Sequence, residues 1–476
     1  MKAFRAIIAL TFRNAVRSHI FQLLLALLLI CVIVIPVSVS VDKLADQIRV
    51  SLLYSLWAVS IILTLSSLWL GCYIMSRDID SYQIHMVVSK PVSRVTIWLG
   101  KWVGINLINF VLLLLSAVVI YAVVMIRYNS ISDEKMLADR VSERQATMNE
   151  KERIRQQVLV GRRSYMPRER NPEEAANFAV RNQLIELQRQ GKPLPSDAEI
   201  QKMRDDLMTQ MDKLPVEVQP GEGYRWVFEN IPLDLQETSF TLRYRPYLGK
   251  VASEDQRESN IQWAVYVPHA GENGVKGLYP VALTNGPEPH ITGTFHEKSL
   301  PKGVISEDGM VMIETMNFDA AGGKHYYQHA DGPKLLIPVC SFEMNYLRAM
   351  LVMMIQLLLL SGLACAFGGF LTMPTAVFMV ASYLLFGALS VILTDPDFFA
   401  STVWDHAGQF LANALLLVII PLQRFDVTDL LSNGDLIEFS MIWDLFFKYF
   451  LLRGVPLFLI GIWLYSRREM GSAVRK

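Results

Sequence analysis

The chain has 476 residues, 52% of them hydrophobic and 19% charged, and its 45 basic and 45 acidic side chains cancel. Zero net charge argues against nucleic acid or another polyanion as the main partner, because such binding is driven by surplus Lys and Arg. The charge is also segregated: residues 127–344 hold 59 of the 90 charged side chains, so one soluble core cannot account for the whole sequence.

Residues 1–19 place Phe4, Ile7, Ile8, Thr11, Phe12, Ala15 and Val16 at helical spacing, with Lys2, Arg5, Arg13 and Arg17 mostly on the other side. That pattern predicts an amphipathic helix in the membrane interface, its apolar face among acyl chains and its cations near anionic headgroups. A simple topogenic charge cluster fits the same residues. Residues 20–126 then carry three apolar runs, 20–41, 50–76 and 102–126. Each can cross a hydrocarbon core of about 30 Å as a helix, the form that satisfies every backbone polar group internally. The first run is too long for a signal-peptide core and has no small-residue cleavage site before Asp42, so a retained span is expected.

Between the second and third runs, residues 78–88 can form a helix with Ile79, Ile84, Val87 and Val88 on one side and Asp78, Asp80 and Gln83 on the other. The acids fall at its N-terminal end, where they complement the helix dipole, and Pro91 stops it. A short, stiff element on the cytoplasmic face is a docking knob, spanning residues 77–94.

The insert at 127–344 divides in two. Residues 132–214 are charged, with helix starts at Asn171-Pro172-Glu173-Glu174 and Ser196-Asp197-Ala198-Glu199. Residues 224–342 carry short β-rich runs separated by Gly, Pro and Asn, which predicts a β-sandwich of the jelly-roll sort. Trp226, Trp263, Tyr326 and Tyr327 could stack on a sugar or fill a partner pocket, but strand core is the favoured reading. His290, His296, His325 and His329 invite a metal; with no carboxylate or Cys at ligand spacing, coincidence is favoured. Cys31, Cys72, Cys340 and Cys365 are isolated, so no disulfide within the insert is expected.

In residues 345–476, the charge-free run 349–394 is long enough for two spans, broken near Gly368, Gly369 and Pro374, and a last span is expected at 450–465 with Arg453 snorkelling near its start. The shorter apolar run 407–422, flanked by Asp395, Asp397, Asp405, Asp426 and Asp429, reads as a re-entrant or interfacial helix in preference to a seventh span. Six spans place three basic clusters on one side: the N-terminal cations, Arg77, Lys90, Arg94 and Lys101, and the tail Arg467, Arg468, Arg475 and Lys476. By the positive-inside rule both termini are then cytoplasmic and the insert faces outward.

The N-terminal helix, the acidic segment followed by Ser89-Lys90-Pro91-Val92-Ser93-Arg94, the Gly100-Lys101 pair opening the third span and the tail Tyr465-Ser466-Arg467-Arg468-Glu469 together resemble the ABC-2 type transporter permeases. The similarity is nearest to the gliding-motility and nitrous-oxide-reductase-maturation subgroup. It covers about residues 1–126 and 346–476; the long insert departs from the family, where the corresponding link is short. It implies a membrane all-α fold of six helices, type V exporter-like, in a bacterial inner membrane, to which the extracytoplasmic α+β insertion read from the residues themselves is added. It also makes residues 77–94 a coupling helix, with Arg77, Asp78, Asp80, Ser89, Lys90, Pro91, Ser93, Arg94, Gly100 and Lys101 as the docking set for a separate ATPase. The implied partners are two ABC ATPase subunits that bind ATP and Mg, a second permease copy or related permease, and membrane lipid. A periplasmic protein or glycan is the candidate partner of the insert.

The chain has no Gly-x-x-x-x-Gly-Lys-Ser/Thr loop, no His-Glu-x-x-His and no Gly-x-Ser-x-Gly, so a non-catalytic subunit without a cofactor of its own is expected. Two functions lead, the permease subunit of an ATP-driven exporter and an ATPase-driven mechanical or signalling scaffold that moves no cargo; the cytoplasmic knob argues against a third, a membrane-anchored receptor or carbohydrate-binding module with no ATPase.

Overall fold

The structure is a computed structural model that describes residues 2–39, 44–80, 92–136, 151–168, 172–189, 191, 195–210, 215–248, 258–270, 276–284, 286–319, 323–393, 410 and 419–467. Contacts divide the chain into two compact units, residues 1–161 with 340–476, and residues 162–339.

The first unit is helical. After α1 (Lys2–Val16) come α2 (His19–Ser38), α3 (Leu44–Asp80) and α4 (Arg94–Met136). Ser18 caps α2 by accepting the Phe21 amide at 3.2 Å, one of the donors a helix start leaves unpaired. Among the described residues, five helices are long and apolar enough to cross a membrane: α2, α3, α4 and, later in the chain, Phe342–Phe370 and Phe439–Arg467. The protein is therefore a helical membrane protein with a separate β-rich region.

The charge-free run at 349–394 does break in two. One helix, which we number α7, spans Phe342–Phe370 and a second, α8, spans Met373–Leu393. The break falls at Leu371 and Thr372, with Pro374 in the first turn of α8, where no amide donor is needed. Gly368 and Gly369 lie inside α7, where Gly368 lets the Cys72 backbone of α3 approach; a Cβ there would sit 3.0 Å from it. α8 is apolar, and its stretch Met373–Leu389 is shorter than a full crossing length.

The last span differs from expectation. It begins at Phe439, eleven residues before the expected start, so the charges on Asp444 and Lys448 lie within the helix, paired one turn apart at 2.8 Å. We number this helix α9 (Phe439–Arg467); its stretch Leu445–Gly454 is π-helical. Arg453 does not simply reach for the interface, since its guanidinium donates to the Ile419 carbonyl at 3.4 Å and lies over the Tyr449 ring.

α7 is the hub. Of its apolar stretch 78% is covered by protein, against 22% for α2 and for α9. Without a hydrophobic drive between helices in lipid, close backbone approach at small residues and hydrogen bonds hold such bundles. Gly71 of α3 abuts Ala364, Gly461 of α9 abuts Ala366, and Gly362 of α7 abuts the Phe458 ring. Ser76 donates to the Gly368 carbonyl at 3.1 Å, and the indole nitrogens of Trp98 and Trp102 donate to the Cys365 and Leu358 carbonyls at 3.3 and 3.2 Å. The segment 419–437 folds back onto the start of α7. There the Asn345 amide donates to the Asp435 carbonyl at 2.8 Å and accepts the Ile437 amide at 2.9 Å. The expected re-entrant helix at 407–422 lies mostly outside the described residues.

In the second unit, α5 (Pro172–Arg189) and α6 (Asp197–Gln210) follow both sequence starts, and Glu199 closes the second box by accepting the Ser196 amide at 2.8 Å. The helix starts within 132–214 predict a helical half, and β1 (Val160–Tyr165) corrects this. Its Arg162, 1% exposed, forks onto Glu297 at 2.9 and 3.3 Å, so the charge that disguises the strand is neutralised inside the sheet. The strands that follow are β2 (Val216–Val218), β3 (Gly223–Phe228), β4 (Thr241–Tyr244), β5 (Tyr247–Leu248), β6 (Glu258–Ala270) and β7 (Lys276–Ala282). Then come β8 (Glu288–Ile291), β9 (His296–Ser299), β10 (Val311–Asn317), β11 (His325–Tyr327) and β12 (Lys334–Ser341).

These form three sheets, β1-β12-β4-β9, β3-β10-β6-β7 with β8 also on β6, and β2-β11-β5. β10 alternates buried and half-buried residues, as a strand with one face on a core must. Phe228, Leu242, Trp263, Ile313, Tyr327 and Leu335 from the three sheets meet in a single core.

Candidate functional site

The docking set predicted from sequence falls at the junction of α3 and α4. Ser89, Lys90 and Pro91 lie outside the described residues, and Asp78 and Asp80 occupy the last turn of α3 without described side chains. The other five can be placed. Arg77 is exposed, donates to the Tyr73 hydroxyl and stacks over that ring at 5.2 Å. Ser93 caps α4, its hydroxyl accepting the Thr96 amide at 3.2 Å. Arg94 is half-buried and donates to the Ser466 carbonyl near the end of α9. Arg94 thus ties the first turn of α4 to the end of the last span.

Gly100 and Lys101 face inward. Lys101 is 4% exposed and its ammonium donates to the Ile74 carbonyl of α3 at 3.1 Å, joining the two helices that carry the junction. Gly100 packs under α1: a Cβ on it would lie 2.8 Å from Ile7 Cγ2. One turn on, a Cβ on Gly104 would lie 2.8 Å from Thr11 Cβ. Gly100-x-x-x-Gly104 is thus a small-residue seat for the N-terminal helix. It also changes the expectation for α1, whose Ile7 and Thr11 face rests on α4 instead of lying among acyl chains.

Sequence reasoning also missed Trp98 and Trp102. They stack at 6.2 Å, and Phe458 of α9 lies 6.3 and 6.0 Å from them. With their indole bonds to α7, these rings connect α4, α7 and α9 just beyond the junction. Single Trp residues in an apolar run give no sequence cue to such a role.

Between α1, α3 and α4 lies a partly open cavity of about 360 Å³. Arg17, Arg77 and Lys101 line it together with Asn14 and Tyr73, and no Asp or Glu does among the described residues.

In the β-rich unit the aromatic candidates are core: Trp226 is 6% exposed and Trp263 and Tyr327 are fully buried, while Tyr326 is half-buried. His290 and His325 are likewise engaged in hydrogen bonds within the unit. His290 shares a hydrogen bond of 2.8 Å with the Tyr244 hydroxyl, and His325 bonds to the Ser259 hydroxyl. Burial holds both imidazoles toward the neutral form, His325 with its pKa pushed down to about 4. Among the described residues no group of three or more His, Cys, Asp and Glu is placed to hold a metal ion.

Compared with known protein families, with curated proteins and with solved structures, the chain finds no significant match.

Proposed function

We propose that the chain is the permease subunit of an ATP-driven exporter of the ABC-2 kind, docked to separate ATPase subunits through residues 77–94. The observation that carries this reading is the bracing of the segment's two ends. Lys101 bonds α4 to α3, Ser76 bonds α3 to α7, and Arg94 bonds α4 to the end of α9. A push on residues 81–91 is thereby delivered to the packed centre of the bundle, as coupling to an ATPase requires. In this scheme α8 is the sixth span, both termini are cytoplasmic in a bacterial inner membrane, and the β-rich unit is a sandwich outside. The resident chemistry, ATP and Mg, belongs to the partner.

The test is purification of the intact chain from its native membrane. An ATP-binding subunit should accompany it, and the double change Asp78→Lys with Arg94→Glu should leave a folded chain that no longer stimulates hydrolysis. Absence of such a subunit, or unchanged stimulation, refutes the proposal. The scaffold reading draws on the near-absence of a polar path: Asn109, fully buried, is one of few amides in the spans. Reconstituted vesicles that hydrolyse ATP without moving any cargo would favour it.

A further inference from the structure

The core-side face of β6 continues beyond the body of its sheet. Ile261, Trp263 and Val265 are fully buried on that face. β10 pairs with β6 only as far as Tyr266, whereas β7 continues the pairing to Ala270, so the hairpin ends as a ribbon of two strands. Alternation keeps Val267 on the core side, and the register sets Tyr279 opposite Val267 and Val281 opposite Val265. Val267 is half-buried, Val281 is 45% exposed and Tyr279 52%. A lone two-stranded ribbon is marginal in water, and this one presents apolar side chains that its own unit covers only in part. Its composition is also unlike its surroundings. Residues 259–271 and 277–287 contain no Asp, Glu, Lys or Arg, within an insert that holds 59 of the chain's 90.

We propose that this ribbon is a contact between two copies of the chain, the Val267, Tyr279 and Val281 face of each closing over that of the other. Charge, shape and size choose the occupant. A patch that meets its own image brings every charge against a like charge, so self-contact demands an uncharged strip, as found here. A core-side face is completed by another apolar sheet face, which the second copy supplies. The arm beyond Tyr266 is about 13 Å long and two strands wide, an area far short of the roughly 800 Å² per partner that holds a freely diffusing protein. It suffices between copies that one bilayer already holds at the same height and in the same orientation. Joining by the strand edges is blocked. The Leu283 amide bonds to the Trp263 carbonyl at 2.9 Å, so alternation turns the backbone groups of Leu278, Pro280 and Ala282 to the outer edge, where Pro280 has no amide to give. The contact is therefore face to face and closed, not an open-ended sheet. It requires only that the helices lie in a membrane, so it stands whether or not an ATPase docks.

The test is disulfide cross-linking of the full chain in its membrane, with copper phenanthroline as oxidant. Val281→Cys is compared with the wild type, whose four cysteines set the background, and with Glu222→Cys, exposed at the opposite end of the sheet beside Gly223. Val281→Cys should give a product of twice the chain mass, well above both. Adding Tyr279→Glu, which sets two carboxylates face to face across the contact, should cut that yield about tenfold. Co-expression with copies carrying Val281→Cys and Tyr279→Lys should restore it, a rescue that an unfolded chain would not show. Equal yields for Val281→Cys and Glu222→Cys, or a yield indifferent to Tyr279→Glu, overturns the proposal. A cross-linked product of any other mass overturns the second copy as occupant.

Discussion

The seat of α1 yields the sharpest prediction. In the double variant Gly100→Ala, Gly104→Ala, each new methyl is placed 2.8 Å from a β-branched side chain, Ile7 in one case and Thr11 in the other. Such side chains have little rotamer freedom to yield, so α1 must lift. Overpacking costs about 1–3 kcal/mol per site, offset by about 1 kcal/mol gained when Ala replaces Gly inside a helix. The pair should therefore loosen α1 by roughly 2 kcal/mol, which is about thirtyfold in the local opening equilibrium. Hydrogen exchange of the full chain in detergent reads this directly: amides in residues 2–16 should exchange about thirtyfold faster, with α7 unchanged. Gly286→Ala, where an added Cβ meets nothing within 4 Å, is the matched control. Unaltered exchange in α1 would show that the contact does not hold the helix.

Two further outcomes follow from buried polar groups. His325 has its pKa lowered from 6.5 to about 4 by burial, so between those values the unfolded chain binds more protons than the folded one. The stability of the β-rich unit should be fully present above pH 6.5 and fall by about 3 kcal/mol as pH drops toward 4. Thermal unfolding followed across that range should lose much of this dependence in His325→Gln; an identical pH profile would refute it. Asn345, fully buried, bridges a carbonyl and an amide of residues 435–437. Asn345→Leu leaves two buried backbone groups unpaired and should cost about 2–5 kcal/mol, seen as a lower melting temperature and early proteolysis near residue 435.

Much of the membrane part is legible in the sequence because a span needs a long run without charge, and such runs are rare by chance. The limits of legibility are equally physical. The last span extends back beyond its charge-poor run because Asp444 and Lys448, one turn apart, pair and remain in the helix. β1 was hidden by Arg162 and Arg163, since pairing with Glu297 across the sheet cannot be seen locally. The junction residues split along the same line. Ser93 behaves as its residue type and position suggest, a helix cap, whereas Gly100 and Lys101, read as docking residues, have their contacts with neighbouring helices inside the bundle. Their partners, Ile7 and Ile74, lie far from them along the chain or across a loop, and only three-dimensional packing brings them together.

The π-helical stretch Leu445–Gly454 gives α9 a property that none of the other long helices has. Its amides bond five residues back instead of four, so the stretch stores an excess of chain in each turn. Releasing one residue from it re-phases everything beyond by about 100°, the rotation of a single α-helical residue. Phe458, which touches both Trp98 and Trp102, and Ser466, which receives Arg94, would swing together around the axis. The last span thus differs from its neighbours in pitch just before the residues that meet Trp98, Trp102 and Arg94.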